Sequence, residues 1–136
     1  MKRAVGYFEE AIALDPNHAP AYAGLAHAYH ELAYYEPPNE VMPKAKQAAM
    51  RALQLDNSNA EAHAALGWIK THYDWDWSGA EKEYRQAIEN NPGSALAHGQ
   101  YAIYLDTMGR FEESLQQHQI AVELDPLWLI GKRLLR

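Results

Sequence analysis

The sequence predicts an all-α chain, an α-solenoid of stacked antiparallel helix hairpins, and three observations carry that prediction. First, one short segment occurs four times: Ala11-Ile12-Ala13-Leu14-Asp15-Pro16, Ala52-Leu53-Gln54-Leu55-Asp56-Asn57, Ala87-Ile88-Glu89-Asn90-Asn91-Pro92 and Ala121-Val122-Glu123-Leu124-Asp125-Pro126. The leading alanines stand 41, 35 and 34 residues apart, a period that belongs to helical repeats. Second, a small-x-x-x-large-x-x-Ala pattern precedes each segment, in Ala4, Phe8 and Ala11, in Ala45, Ala49 and Ala52, in Ala80, Tyr84 and Ala87, and in Ser114, His118 and Ala121. Third, prolines fall just past these patterns, where proline stops a helix without breaking one.

The physical reason for the pattern is close approach. Two antiparallel helices pack tightly only where small side chains let the backbones come together, and large side chains three and four positions on fill the neighbouring grooves. A single hairpin cannot bury its apolar face, so neighbours must stack.

The elements follow in order. Residues 1–14 read as a second helix without its first. Residues 19–35 and 40–55 form a hairpin whose first helix shows Tyr22, Leu25, Ala26 and Tyr29 on one face. The long 41-residue spacing puts the extra residues in the loop Tyr35-Glu36-Pro37-Pro38, with Asn39 as a cap and Pro43 in the first helical turn, where a missing N–H is harmless. Residues 60–74 and 78–90 form the next hairpin, with His63, Leu66 and Gly67 on the packing face and Lys70 where an aromatic is expected. Asn59 is its N-cap, and Ser78 with Glu81 forms a capping box. Residues 95–108 and 111–124 form a third hairpin with Ser94 as N-cap and Gly109 supplying a left-handed turn. Residues 127–135 would begin another first helix. The expected division is therefore 1–18, 19–59, 60–94, 95–128 and 129–136, a single domain cut mid-repeat at both ends.

On these residues the chain resembles the tetratricopeptide repeat (TPR) family over nearly its whole length. The resemblance implies a right-handed superhelix in which the first helix of each pair lines a concave groove that binds peptides. The segment Tyr73-Asp74-Trp75-Asp76-Trp77, followed by Ala80-Glu81, is similar to TPR blocks of bacterial multidomain regulators, where such blocks follow a winged-helix, kinase or nucleotide-cyclase domain. That likeness implies a fragment of a larger cytoplasmic protein. Large aromatics are mostly packed, so Trp75 and Trp77 are expected to wedge the longer loop against its hairpin; exposed, they would anchor a partner.

Composition narrows the function classes. A formal charge of −6 disfavours nucleic-acid binding, which needs clustered cations, and the basic cluster is the small set Lys132, Arg133 and Arg136. With no cysteine, disulfides, thiolate metal ligands and a thiol nucleophile are excluded. No apolar run approaches the ~20 residues that span a bilayer. Phosphate loops and Gly-x-Ser-x-Gly motifs are absent, and Glu9, Glu10, Glu112 and Glu113 read as solvated helix faces, so neither an enzyme nor a cofactor is expected.

The groove geometry implied by the resemblance places three stripes along it: Ala23, His27, His30 and Tyr34; Ala64, Ala65, Trp68, Thr71 and His72; Gly99, Gln100, Ile103, Asp106 and Thr107. His27, His30, Trp68, His72, Gln100 and Ile103 are the expected contacts to a protein or peptide partner with apolar side chains. Relatives that grip a C-terminal carboxylate use Lys, Arg and Asn on these helices; the matching positions here, Ala23, His27, Ala65, Leu96 and Gln100, hold no cation. His27 and His30 share a face with His72 across the groove, but two or three imidazoles without a further ligand fall short of a zinc site, and packing or solvation is the expected role of the histidines. The alternative function class is self-association into a homodimer through the apolar ends, where Leu127-Trp128-Leu129-Ile130 and Leu134-Leu135 lack a covering helix.

Overall fold

A computed structural model describes residues 2–127, which contain seven helices and no strand. These are α1 (Lys2–Leu14), α2 (Ala19–Leu32), α3 (Pro38–Leu55), α4 (Ala60–His72), α5 (Trp77–Asn90), α6 (Ala95–Thr107) and α7 (Phe111–Leu124). The chain is thus an all-α helical repeat solenoid. Helices α2 and α3, α4 and α5, and α6 and α7 pack as hairpins along their lengths. The predicted start of a further helix beyond Leu127, and the Lys132, Arg133 and Arg136 cluster, lie outside the described residues.

Small residues sit where the helices cross. Ala45, Ala49, Ala52, Ala80, Ala87 and Ala121 are fully buried, and Ser114, at the small position of α7, is buried with its Oγ donating to the Ala102 carbonyl at 3.0 Å. One apolar core runs from Val5 through Leu25, Met42 and Ala49 to Leu66 and Ile69. A second centres on Tyr84, Tyr101, Tyr104 and Leu105. At the α4–α5 crossing the ring of Tyr84 lies so near Gly67 that a Cβ there would stand 2.8 Å from Tyr84 Cε1.

The repeats also share a hydrogen bond that ties each inner helix to the loop before it. Tyr22 Oη donates to the Pro16 carbonyl at 2.9 Å, His63 Nε2 to that of Asn57 at 2.9 Å, and His98 Nε2 to that of Pro92 at 2.8 Å. Each reaches six residues back, so an imidazole takes the place of a phenol at one repeat position. His63 and His98 are therefore more than packing residues: their Nδ1 atoms meet Glu83 Oε2 at 3.4 Å and Gln117 Oε1 at 2.6 Å on the partner helix of each hairpin.

The caps expected at Asn59 and Ser94 are present, accepting from Ala62 N at 2.9 Å and Ala97 N at 3.1 Å, and Gly109 adopts φ 76°. Three local expectations are corrected. Helix α3 begins at Pro38 with Pro37 as its N-cap, so Asn39 is helical and Pro43 lies deeper than the first turn; Pro38 brings a helical φ and needs no N–H partner at that position. Helix α5 is capped by Asp76, whose Oδ1 accepts from Gly79 N at 3.1 Å, and Ser78 is inside the helix. Asp is as strong a cap as Ser, and Trp75, at φ 57°, turns the chain so that Asp76 N donates to the Lys70 carbonyl at 2.8 Å.

The third correction concerns the tryptophans of that loop. Trp75 is 69% exposed and Trp77 45%, with their rings edge-on at 6.2 Å. They do not wedge the loop. Its anchors are polar instead: the Asp76 cap, and an ion pair from Lys46 Nζ to Asp74 Oδ2 at 2.7 Å.

Along the array the backbone of α2 runs close to that of α4 and α4 close to α6, whereas the backbones of α3, α5 and α7 do not approach one another. Helices that meet mark the inside of a curve and helices that spread mark the outside. The α2, α4 and α6 faces therefore line the inner surface. No helix among the described residues is long and apolar enough to cross a membrane.

Candidate functional site

On α2 the positions of His27, His30 and Tyr34 are three and four residues apart, and on α4 Trp68 and His72 are four apart. Such spacings put side chains on one helix face. Contact between α2 and α4 then joins the two stripes into one chain of rings. His27 meets His30 edge-on at 5.7 Å between centroids, His30 meets Tyr34 at 6.1 Å and lies 3.7 Å from Trp68 at 35°, and Trp68 stacks on His72 at 4.5 Å and 29°.

Burial grades along this chain. His30 is 1% exposed and Trp68 is partly buried against the main core, while His27, Tyr34 and His72 reach solvent. The ladder thus has a fixed interior and accessible edges. His72 Nδ1 donates to the Trp68 carbonyl at 3.1 Å, which orients its ring. Beside the ladder Glu31 is buried, with Oε1 3.7 Å from His27 Nε2. The surface is weakly charged and aromatic, suited to apolar or aromatic side chains by stacking and to their backbone by imidazole hydrogen bonds.

Of the six residues expected at the groove, four enter this ladder: His27, His30, Trp68 and His72. Gln100 and Ile103 lie on α6. Gln100 is 2% exposed, and its Oε1 meets no hydrogen-bond donor among the described residues; Ile103 is partly buried. Glu31 joins the site without having been expected there; its signal in the sequence is its place four residues after His27. Two shallow clefts lie elsewhere: one of about 380 Å³ lined by Arg85, Tyr101 and Gln117 among others, and one of about 300 Å³ lined by Tyr22, Lys44 and Arg51. Neither includes a ladder residue.

A polar junction fastens α5, α6 and α7. Tyr101 Oη donates to Glu81 Oε2 at 2.8 Å, Arg110 reaches Glu81 Oε2 at 2.7 Å and Glu113 Oε2 at 2.6 Å, and Tyr104 Oη donates to the Trp77 carbonyl at 3.0 Å. Burial, and then the carboxylate beside it, pushes the Tyr101 phenol up to about 12. Burial pulls Glu81 the other way, but hydrogen bonds from Tyr101 and Arg110 outweigh it and hold the carboxyl below its usual range. This junction is structural; none of these contacts reaches a ladder residue.

Known proteins agree with the architecture. The tetratricopeptide repeat family model matches residues 7–36 and 83–116. The transcriptional regulator HilA of Salmonella typhimurium is 30% identical over 129 residues, covering 93% of this chain and 23% of that protein. The type IV pilus assembly protein PilF of Pseudomonas aeruginosa is 32% identical over 74 residues, 54% of this chain and 29% of that protein. The chain thus spans about a quarter of the length of these curated relatives. Among solved structures, a thermophilic TPR protein of Thermus thermophilus superposes with a TM-score of 0.74 at 20% identity, covering 97% of this chain and 69% of that one. PilF of Pseudomonas aeruginosa superposes with 0.67 at 28% identity, covering 81% and 46%. Repeat period, inner-helix contacts and these likenesses converge: the chain belongs to the tetratricopeptide repeat family.

Proposed function

We propose that this chain is a protein–protein interaction module that binds a peptide or partner domain along the inner face of α2, α4 and α6. The observation that carries the reading is the ring ladder from His27 through His30 and Trp68 to His72, whose edges reach solvent while its centre is fixed. A rigid aromatic surface binds with little loss of side-chain freedom. Among the described residues no catalytic arrangement supports an enzymatic reading, and TPR proteins in general act as non-enzymatic scaffolds. The similarity to HilA, named a transcriptional regulator, supports a place within a larger bacterial regulatory protein, where this block would work in the cytoplasm on a protein rather than on DNA or a membrane.

The test is a pull-down with the wild-type chain and with His72→Ala and Trp68→Ala. His72 is exposed, so its loss leaves the fold intact. The reading expects both variants to recover less partner; equal recovery by both removes the site.

A second reading is self-association through exposed apolar side chains of α1 and α7, the first and last of the described helices. Tyr7 and Leu14 of α1 are 72% and 88% exposed, and Phe111 and Leu115 of α7 are 68% and 60% exposed. Such faces recruit a copy of the chain when nothing else covers them. Sedimentation across micromolar concentrations separates the readings, since a monomer throughout excludes the homodimer.

A further inference from the structure

We propose that His27, His30 and Glu31 of α2 form a binding site for a divalent transition-metal ion, zinc first among them. The three ligand atoms all lie within 4.8 Å of one another, and His27 Nε2 and Glu31 Oε1 are 3.7 Å apart. Spacings of three and four residues point all three side chains from one face of a single helix. The donor set is two imidazoles and a carboxylate, the ligands that hold zinc in sites with three protein donors and a fourth position left to water.

Metal–ligand bonds of about 2.0 Å in tetrahedral array place donors roughly 3.3 Å apart. Closing from the observed separations asks for a shift of about 1–1.5 Å at the ligand atoms, most of it from the half-exposed His27 and the Glu31 carboxylate, since His30 is held against Trp68. The setting favours a cation. Glu31 is 5% exposed, and a buried carboxylate is stabilised by a nearby positive charge. A dication among the three groups supplies such a charge. Trp68, 3.7 Å from the His30 ring, restricts that ring's orientation, as neighbouring groups do around metal ligands. His27, with 35% of its side chain exposed, leaves an entry path.

The sequence suggested His72 across the groove from His27 and His30, and no metal site was expected. The structure puts His72 against Trp68 with Nδ1 engaged by the Trp68 carbonyl, and puts the Glu31 carboxylate next to His27 in its place. The site does not depend on the groove holding a peptide.

The experiment titrates zinc into the tag-free, metal-stripped chain by calorimetry, for the wild type, His27→Ala, Glu31→Gln and, as a control on another histidine, His118→Ala. The expected result is one zinc per chain, affinity weakened at least about tenfold in His27→Ala and in Glu31→Gln, and no change in His118→Ala. Cobalt in place of zinc should give visible d–d bands in the wild type that both ligand variants lose. Helix content by circular dichroism accompanies each variant. His27→Ala places a strong helix former at a half-exposed position, so it decides the matter alone should Glu31→Gln unfold. No zinc uptake by the wild type, or unchanged affinity in a folded His27→Ala, overturns the proposal.

Discussion

The imidazole of His30 lies 3.7 Å from the indole of Trp68, centroid to centroid and tilted by 35°, across the seam between α2 and α4. The contact belongs at once to the core and to the inner surface, so one residue change should disturb both. Trp68→Ala is expected to lower stability by about 2 kcal/mol, less than a fully buried tryptophan because part of the ring reaches solvent. Urea denaturation measures this. A loss below about 0.5 kcal/mol would mean that the ring packs much more loosely than described.

Gly67 tests the close approach at the α4–α5 crossing. A methyl group there would sit 2.8 Å from the Tyr84 ring, and Tyr84 is 1% exposed with nowhere to retreat. Gly67→Ala should therefore destabilise by about 1–3 kcal/mol, although alanine is the better helix former by about 1 kcal/mol. Thermal unfolding reads the sign directly, and a stabilised variant would contradict the packing.

The His63–Glu83 pair gives a pH dependence with a defined sign. Burial lowers the His63 pKa, but hydrogen bonds to the Glu83 carboxylate and the Asn57 carbonyl outweigh it, leaving the imidazole above its ordinary 6.5. Lys70, 3.9 Å from the same carboxylate, opposes this without reversing it. A raised folded-state pKa contributes stability that is complete below the unfolded value and disappears as pH rises through the folded value. The advantage of wild type over His63→Gln in urea midpoint should thus be larger near about pH 5.5 than near about pH 8.5. An advantage independent of pH would remove the charged imidazole from the account.

Glu81→Gln probes the junction of α5, α6 and α7. The carboxylate receives Tyr101 and Arg110 together, and losing its charge should cost about 1 kcal/mol after screening by solvent. Because Glu81 titrates below the usual carboxylate range, its contribution is present above the unfolded pKa and fades as pH falls through the folded one. Wild type and variant should converge in melting temperature in acid and separate near neutrality.

Trp75 makes the opposite prediction from the other aromatics. It is exposed and holds φ 57°, a region that costs a residue with a Cβ about 1–2 kcal/mol. Trp75→Gly relieves that cost and adds unfolded-state freedom of similar size, so the net change should stay within about 0.5 kcal/mol. A loss beyond about 1 kcal/mol in urea titration would place the indole in a packing role after all.

What could be read from the sequence was whatever depends on spacing within one helix or one turn. The Ala–Pro period marked out the hairpins, Asn59, Ser94 and Gly109 marked their own boundaries, and the stripes of α2 and α4 followed from helical periodicity. What could not be read depends on distances between elements or on competition between neighbours. Asp76 and Ser78 are both good caps two residues apart, and the backbone angle of Trp75 decides between them. That Tyr22, His63 and His98 perform one task is hidden because phenol and imidazole are different residues that reach the same carbonyl. The partnership of His30 with Trp68 needed the α2–α4 separation, and the burial of Glu31 needed the whole inner face.

The backbones of α3, α5 and α7 do not approach one another, so what ties α5 to the start of α7 is a side-chain bridge, Arg110 to Glu81 at 2.7 Å, and not backbone packing. Successive hairpins can pivot about the inner seams much as leaves of a leaf spring flex about a clamped edge.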